Sequence, residues 1–197
     1  CLGIDVNATE PYILADDFLC TQTGRIEEIR VWGSWLEDVM PNNDPTNVTF
    51  ALSLHEDIPA NESPTGYSMP GDLLWRKFFQ SWELTAEPYY VGVAEGWLEP
   101  PDLFTYPADT TCWLYTFAVP DTEHVYQIGT EEEPKVYWLG VQAFPYLYQG
   151  TFGWKTSLDH WNDDAVWGVC EYPAEPHEVA WEELIYPAGH SMEGESI

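Results

Sequence analysis

The chain has 197 residues, with 34 Asp and Glu against 6 Lys and Arg and a formal net charge of -28. That surplus excludes nucleic acid as a partner, because binding it needs a basic face that displaces counterions, and the same repulsion argues against an anionic membrane surface. The apolar share is 45% with 11 Trp, 12 Tyr and 8 Phe, too aromatic for a disordered chain, and no apolar run is long enough to insert into a bilayer.

The 16 Pro and 14 Gly are scattered so evenly that they interrupt the long windows a helix needs, and strands are predicted in the gaps. In chain order these cover 12–19, 26–35, 48–55, 73–79, 89–93, 112–119, 136–143, 152–156, 165–170 and 181–186. The third has a clean period of two: Val48, Phe50, Leu52 and Leu54 share one face, and Thr49, Ala51, Ser53 and His55 the other. Segments 40–45, 57–66 and 99–102 are rich in Pro, Asn, Asp and Gly and read as turns. About ten short strands without intervening helices predict an all-β fold, a two-sheet antiparallel sandwich of jelly-roll type with long loops. An up-and-down barrel is the alternative. One domain over 1–197 is expected, with 187–197 a polar tail that lacks strand patterning.

Cysteines stand at Cys1, Cys20, Cys112 and Cys170, with no Cys-x-x-Cys spacing for a metal or redox pair. Disulfides are expected, with Cys1–Cys20 and Cys112–Cys170 the favoured pairing and free buried thiols the alternative. A chain that starts on Cys1 rather than Met reads as mature and exported, and a lipid anchor on Cys1 is a lesser alternative. Sequons at Asn7, Asn47 and Asn61 fit a secreted or cell-surface location.

Several phrases act together: Asp5-Val-Asn-Ala-Thr-Glu-Pro-Tyr-Ile-Leu-Ala-Asp-Asp-Phe18, Ile29-Arg-Val-Trp-Gly-Ser-Trp35, Leu52-Ser-Leu-His-Glu-Asp-Ile-Pro59, Gly66-Tyr-Ser-Met-Pro-Gly71 and Phe152-Gly-Trp-Lys-Thr-Ser-Leu-Asp-His-Trp-Asn-Asp-Asp-Ala-Val-Trp167. In these the chain resembles a family of uncharacterised secreted bacterial β-sandwich domains found in large exported proteins. The resemblance implies export and a sandwich fold, and no enzyme activity is attached to it. It also implies a further apolar strand beyond Ile197. A sheet without that strand would present an open edge for a neighbouring subunit, and a head-to-tail contact of that kind propagates into a fibre; the alternative is that an earlier segment already completes the sheet.

The carboxylate surplus leaves two readings, plain solubility or a requirement for divalent cations, Ca2+ first. The candidate ligands are Asp16 and Asp17 at a strand end and the acidic knot Asp159, Asn162, Asp163 and Asp164. Neither cluster matches an EF-hand loop, and either one alone reads as turn chemistry. The histidines form no His-x-x-x-His pair, and His55-Glu56 and His160 near Asp163 read as structural rather than acid/base pairs. No nucleophile elbow, P-loop or dinucleotide fingerprint occurs. With 34 acids, carboxylate pairs at glycosidase spacing arise without meaning, so no catalytic residue is assigned.

Trp97, Trp154 and Trp161 adjoin Gly, Pro or acidic loop residues and are the candidate ligand or interface aromatics. The leading expectation is a non-catalytic extracellular structural or adhesive domain that forms a homo-oligomer or polymer, such as a surface fibre or matrix. Polysaccharide binding as a carbohydrate-binding module is the alternative, and a glycoside hydrolase comes third.

Overall fold

The computed structural model describes residues 3–157, 164–172 and 174–197. Its strands are β1 (Asp5–Asn7), β2 (Tyr12–Cys20), β3 (Gly24–Arg25), β4 (Glu28–Trp35), β5 (Val48–Ile58), β6 (Met69–Phe79), β7 (Leu84–Glu99), β8 (Leu103–Ala118), β9 (Tyr126–Gln127), β10 (Lys135–Pro145), β11 (Phe152–Lys155), β12 (Val166–Val169) and β13 (Glu182–Glu183). Only short 3-10 turns interrupt them among the described residues. The all-β, sandwich-like expectation holds.

One sheet has six strands in the order β13-β12-β2-β10-β5-β6, antiparallel throughout. A second runs β1-β11-β4-β8-β7 and closes on itself, because β7 also pairs with β1. That last contact is parallel, with Asp5 opposite Trp97 and Val6 opposite Leu98. A purely antiparallel sandwich was expected, and the difference has a local cause. Along the β7·β8 hairpin the register slips between Val91 and Glu95 and again between Glu95 and Trp97. Unpaired residues bend a strand and increase its twist, which brings the far half of β7, still paired with β8, alongside β1 on its other edge. Gly92, at φ +86, supplies the left-handed backbone at the first slip.

These bulges also explain why β7 and β8 are longer than the sequence predicts. Pro88 and Pro107 read as breakers, yet both lie within strands beside register slips, where no ladder N–H is required.

The main core lies between the two sheets. Phe50, Leu52 and Leu54 face it from β5, as their alternation predicts. The Phe50 ring meets Tyr115 at 5.1 Å, Phe117 at 5.3 Å and Phe152 at 4.9 Å. Trp35 Nε1 donates to Tyr115 Oη at 2.9 Å, which in turn donates to Pro45 O at 3.0 Å. The opposite face of β5 is covered as well: Ser53 and His55 are buried, and the His55 ring packs edge-on against Trp181. His55 bonds Ser53 Oγ at 2.9 Å and is a structural residue. A smaller apolar cluster of Ile13, Ala15, Trp138, Val166, Cys170 and Trp181 forms on this outer side.

Two expectations need correction. Cys112 and Cys170 are free buried thiols, not a disulfide. Cys112 sits in β8 of the closed sheet, whereas Cys170 follows β12 and belongs to the outer cluster of the other sheet, so the two have different surroundings. Cys20 is also a free thiol, donating to Gln22 O at 3.2 Å, and Cys1 lies outside the described residues. The second correction concerns 187–197. Its last residues return to the fold: Ile197 N donates to Leu184 O at 2.9 Å, Ala165 N donates to Ile197 O at 2.6 Å, and Ile197 joins the main core.

Phe50→Ala removes the ring on which Tyr115, Phe117 and Phe152 converge. A loss of about 3–5 kcal/mol is expected, read from the midpoint of guanidinium unfolding.

Candidate functional site

The short strand β1 sends alternate residues to opposite sides. Ile4, Val6 and Ala8 enter the main core, so Asp5 points to the enclosed side of the closed sheet, where it is fully buried. Antiparallel pairing sets Lys155 of β11 directly across from Asp5. Glu95 and Asp109 face each other across β7 and β8. Gly153 makes room for this arrangement, since a Cβ there would lie 2.8 Å from Asp5 Cβ and 2.6 Å from the Trp97 ring.

Lys155 Nζ donates to Asp5 Oδ2 and stands 2.6 Å from Glu95 Oε2. Tyr90 Oη donates to the other Glu95 oxygen, Oε1. The side chains of Lys155 and Glu95 are each 2% exposed, and Asp109 is buried as well. Carboxylate oxygens of Asp5, Glu95 and Asp109 lie within 4.8 Å of one another. Three acids thus share one ammonium in a space that excludes water.

The electrostatics follow from that imbalance. Burial pushes the Asp5 carboxyl well above the usual carboxylate range; Asp109 and Glu95 add to this, and Lys155 opposes it. Asp109 is pushed up to about 6, again by burial first, with Lys155 pulling the other way. Burial pulls Lys155 down, but Asp5 and Glu95 outweigh it and leave the ammonium above its ordinary value. Cys112, beside the cluster, is pushed up to about 12 by burial, so its thiol is inert at neutral pH.

A second feature lies on the outer surface. A groove of about 520 Å³ runs between the turn after β6 and the turn after β10. Its walls carry Trp82, Tyr146 and Tyr148, and its floor carries the amide and hydroxyl groups of Asn47, Thr49, Gln80 and Ser81. Trp82 is 79% exposed and Tyr148 87%. Thr49 Oγ1 donates to Gln80 Oε1 at 3.2 Å, which holds that amide in place. A shallower hollow shares Thr49, Gln80 and Phe144 with the groove and extends it to Phe78 and Tyr172.

The residues expected from sequence fare unevenly. Trp97 is not a surface aromatic: at 2% exposure it packs inside the closed sheet, because the bulged half of β7 turns inward there. Trp154 is half-buried against the main core. Trp161, Asp159, His160, Asn162 and Asp163 lie outside the described residues. Asp16 and Asp17 are adjacent in β2, the first exposed and the second buried, so their side chains leave on opposite faces. Asp164 is half-buried.

Neither the buried cluster nor the groove was found from sequence. A lysine ending the apolar run Phe152–Lys155, in a chain with only 6 basic residues, was the available signal for the first. Tyr146-Leu147-Tyr148, three large side chains following Pro145, was the signal for the second.

The raised Asp109 value gives a pH dependence. The folded protein holds this proton where the unfolded chain, at 3.8, has lost it, so Asp109 costs stability as pH rises from 3.8 through about 6. The advantage of Asp109→Asn over the native protein should therefore widen from about pH 4 to about pH 7, by at most about 1.4 kcal/mol per unit. Paired thermal melts across that range test it.

No curated protein and no solved structure matches this chain. The resemblance to an uncharacterised domain family does have a counterpart: residues 1–196 match the model of a family described as a domain of unknown function, and the chain belongs to that family, DUF7901.

Proposed function

We propose that this chain is a non-catalytic, adhesive domain of an exported protein that binds a neutral polysaccharide through the groove between Trp82 and Tyr148. The observation that carries this reading is the pairing of highly exposed rings with fixed amides and hydroxyls in an open groove. Exposing an indole and two phenols to water has a hydrophobic cost that an isolated fold has no reason to bear in one place. Sugar rings offer apolar C–H faces for such aromatics and hydroxyls for Asn47, Thr49, Gln80 and Ser81. Glu10 is the one charged residue in the lining, and with a net charge of -28 the protein repels acidic polymers. A neutral glycan is the ligand class that remains.

The absence of catalysis follows the placement of acids. The carboxyls whose pKa values are raised, Asp5 and Asp109, face the inside of the closed sheet and are not among the groove's lining residues. Secretion is inferred from the composition and the sequons, one of which, Asn47, borders the groove. A glycan attached at Asn47 would compete with the ligand, so the reading favours expression without glycosylation for the assay.

Affinity electrophoresis in gels cast with neutral polysaccharides should retard the protein, and Trp82→Ala or Tyr148→Ala should each weaken binding by about tenfold. Both side chains are exposed, so the variants keep the fold. Retardation by no member of a broad panel, or unchanged retardation in the double variant, overturns the proposal.

A further inference from the structure

We propose that Lys155 and Asp5 condense into an intramolecular isopeptide bond that staples β11 to β1, with Glu95 as the proton acceptor. The geometry supplies every participant. Lys155 Nζ already donates to the carboxyl group it would attack, and Glu95 Oε2 lies 2.6 Å from the same nitrogen. Strand pairing fixes both backbones, because Asp5 and Lys155 are register partners. Such fixed contact replaces an encounter in solution by an effective concentration of about 10⁵ M or more.

The steps balance. Asp5 begins as the neutral acid, the form that its burial favours, and Lys155 as the ammonium. Glu95 accepts one proton from Nζ, and the freed amine lone pair adds to Asp5 Cγ. A second N–H proton passes to the departing hydroxyl, the Cγ–OH bond breaks, and water leaves. An amide and a neutral Glu95 remain. No oxidant, reductant or external cofactor is consumed, because the reaction is a dehydration. The product water has a way out: Glu95 also lines a cleft of about 320 Å³ on the protein surface, together with Ile4, Phe104 and His190.

The environment supplies a driving force. Before condensation the Lys155 ammonium and the Glu95 carboxylate stand charged and buried, an arrangement that is costly unless every partner is satisfied. Asp5 Oδ1 is buried and lacks a hydrogen-bond partner. Condensation converts this ion pair into neutral groups, and exclusion of water disfavours hydrolysis of the amide. Asp109 contributes negative potential that keeps the proton on Asp5. Tyr90, donating to Glu95, is a positioning residue for the proton acceptor.

The test is the intact mass of the purified, denatured 197-residue chain. It should fall below the sequence mass by one water molecule, with tandem spectrometry of a digest showing the Asp5 peptide joined to the Lys155 peptide. The staple would close a loop between residues 150 apart, so the denatured native protein should also migrate faster on a denaturing gel than Lys155→Arg. Glu95→Gln, which keeps nucleophile and electrophile but removes the proton acceptor, should show the full sequence mass. A folded native protein at its full sequence mass overturns the proposal and leaves a simple buried ion pair. Water loss mapped to another pair of residues overturns it equally, and a Glu95→Gln variant that still loses water removes Glu95 from the mechanism. The native measurement does not depend on either variant folding.

Discussion

The side chain of Lys155 holds the closed sheet shut. β1 meets β7 through only two register pairs, Asp5 with Trp97 and Val6 with Leu98, far less backbone pairing than joins β7 to β8 or β10 to β5. What reinforces this short seam is the Lys155 nitrogen, placed between a carboxyl group from each strand, Asp5 of β1 and Glu95 of β7. Without the Lys155 side chain, two buried acids would face each other across the seam with Asp109 close by, and deleting one partner of a buried ion pair costs about 3–5 kcal/mol. The closure of the sheet around Trp97 is reinforced by that contact.

The two features that set this protein apart are kept separate. Chemistry capable of moving protons is turned inward, into a space built by β1, β7, β8 and β11. The groove proposed to bind a glycan is built from turns after β6 and β10, at the margin of the other sheet, and is nearly uncharged in an otherwise acidic protein. A rigid sandwich with variable connections at its margins suits recognition, because turns tolerate the exposed aromatic residues that a strand would have to bury.

Local pattern was legible and non-local pairing was not. The alternation in β5 placed Phe50, Leu52 and Leu54 on the core face because side-chain direction in a strand has a strict period of two. The same rule failed at β7 and β8, where Pro88 and Pro107 are excused by bulges that no local signal announces. The buried cluster draws on residues 5, 95, 109 and 155, brought together by a parallel contact between the first and seventh strands. No spacing along the chain encodes that meeting. Attention to acidic runs led to Asp16, Asp17 and the 159–164 knot, whereas Asp5, Glu95 and Asp109 each stand apart from other acids along the chain. Trp97 misled for a related reason, since Gly96 beside it marks close packing against Phe104 rather than an exposed turn.

Trp82 has one further consequence. Among the described residues it is the one tryptophan that stands largely in water, while Trp35, Trp97 and Trp138 are sealed in the interior. Indole emission shifts to longer wavelength in polar surroundings, so among the described tryptophans Trp82 emits furthest to the red, and a neutral collisional quencher reaches it before the others. The molecule therefore carries its own optical reporter at the position where a ligand would lie, with no label to disturb the surface it reports on.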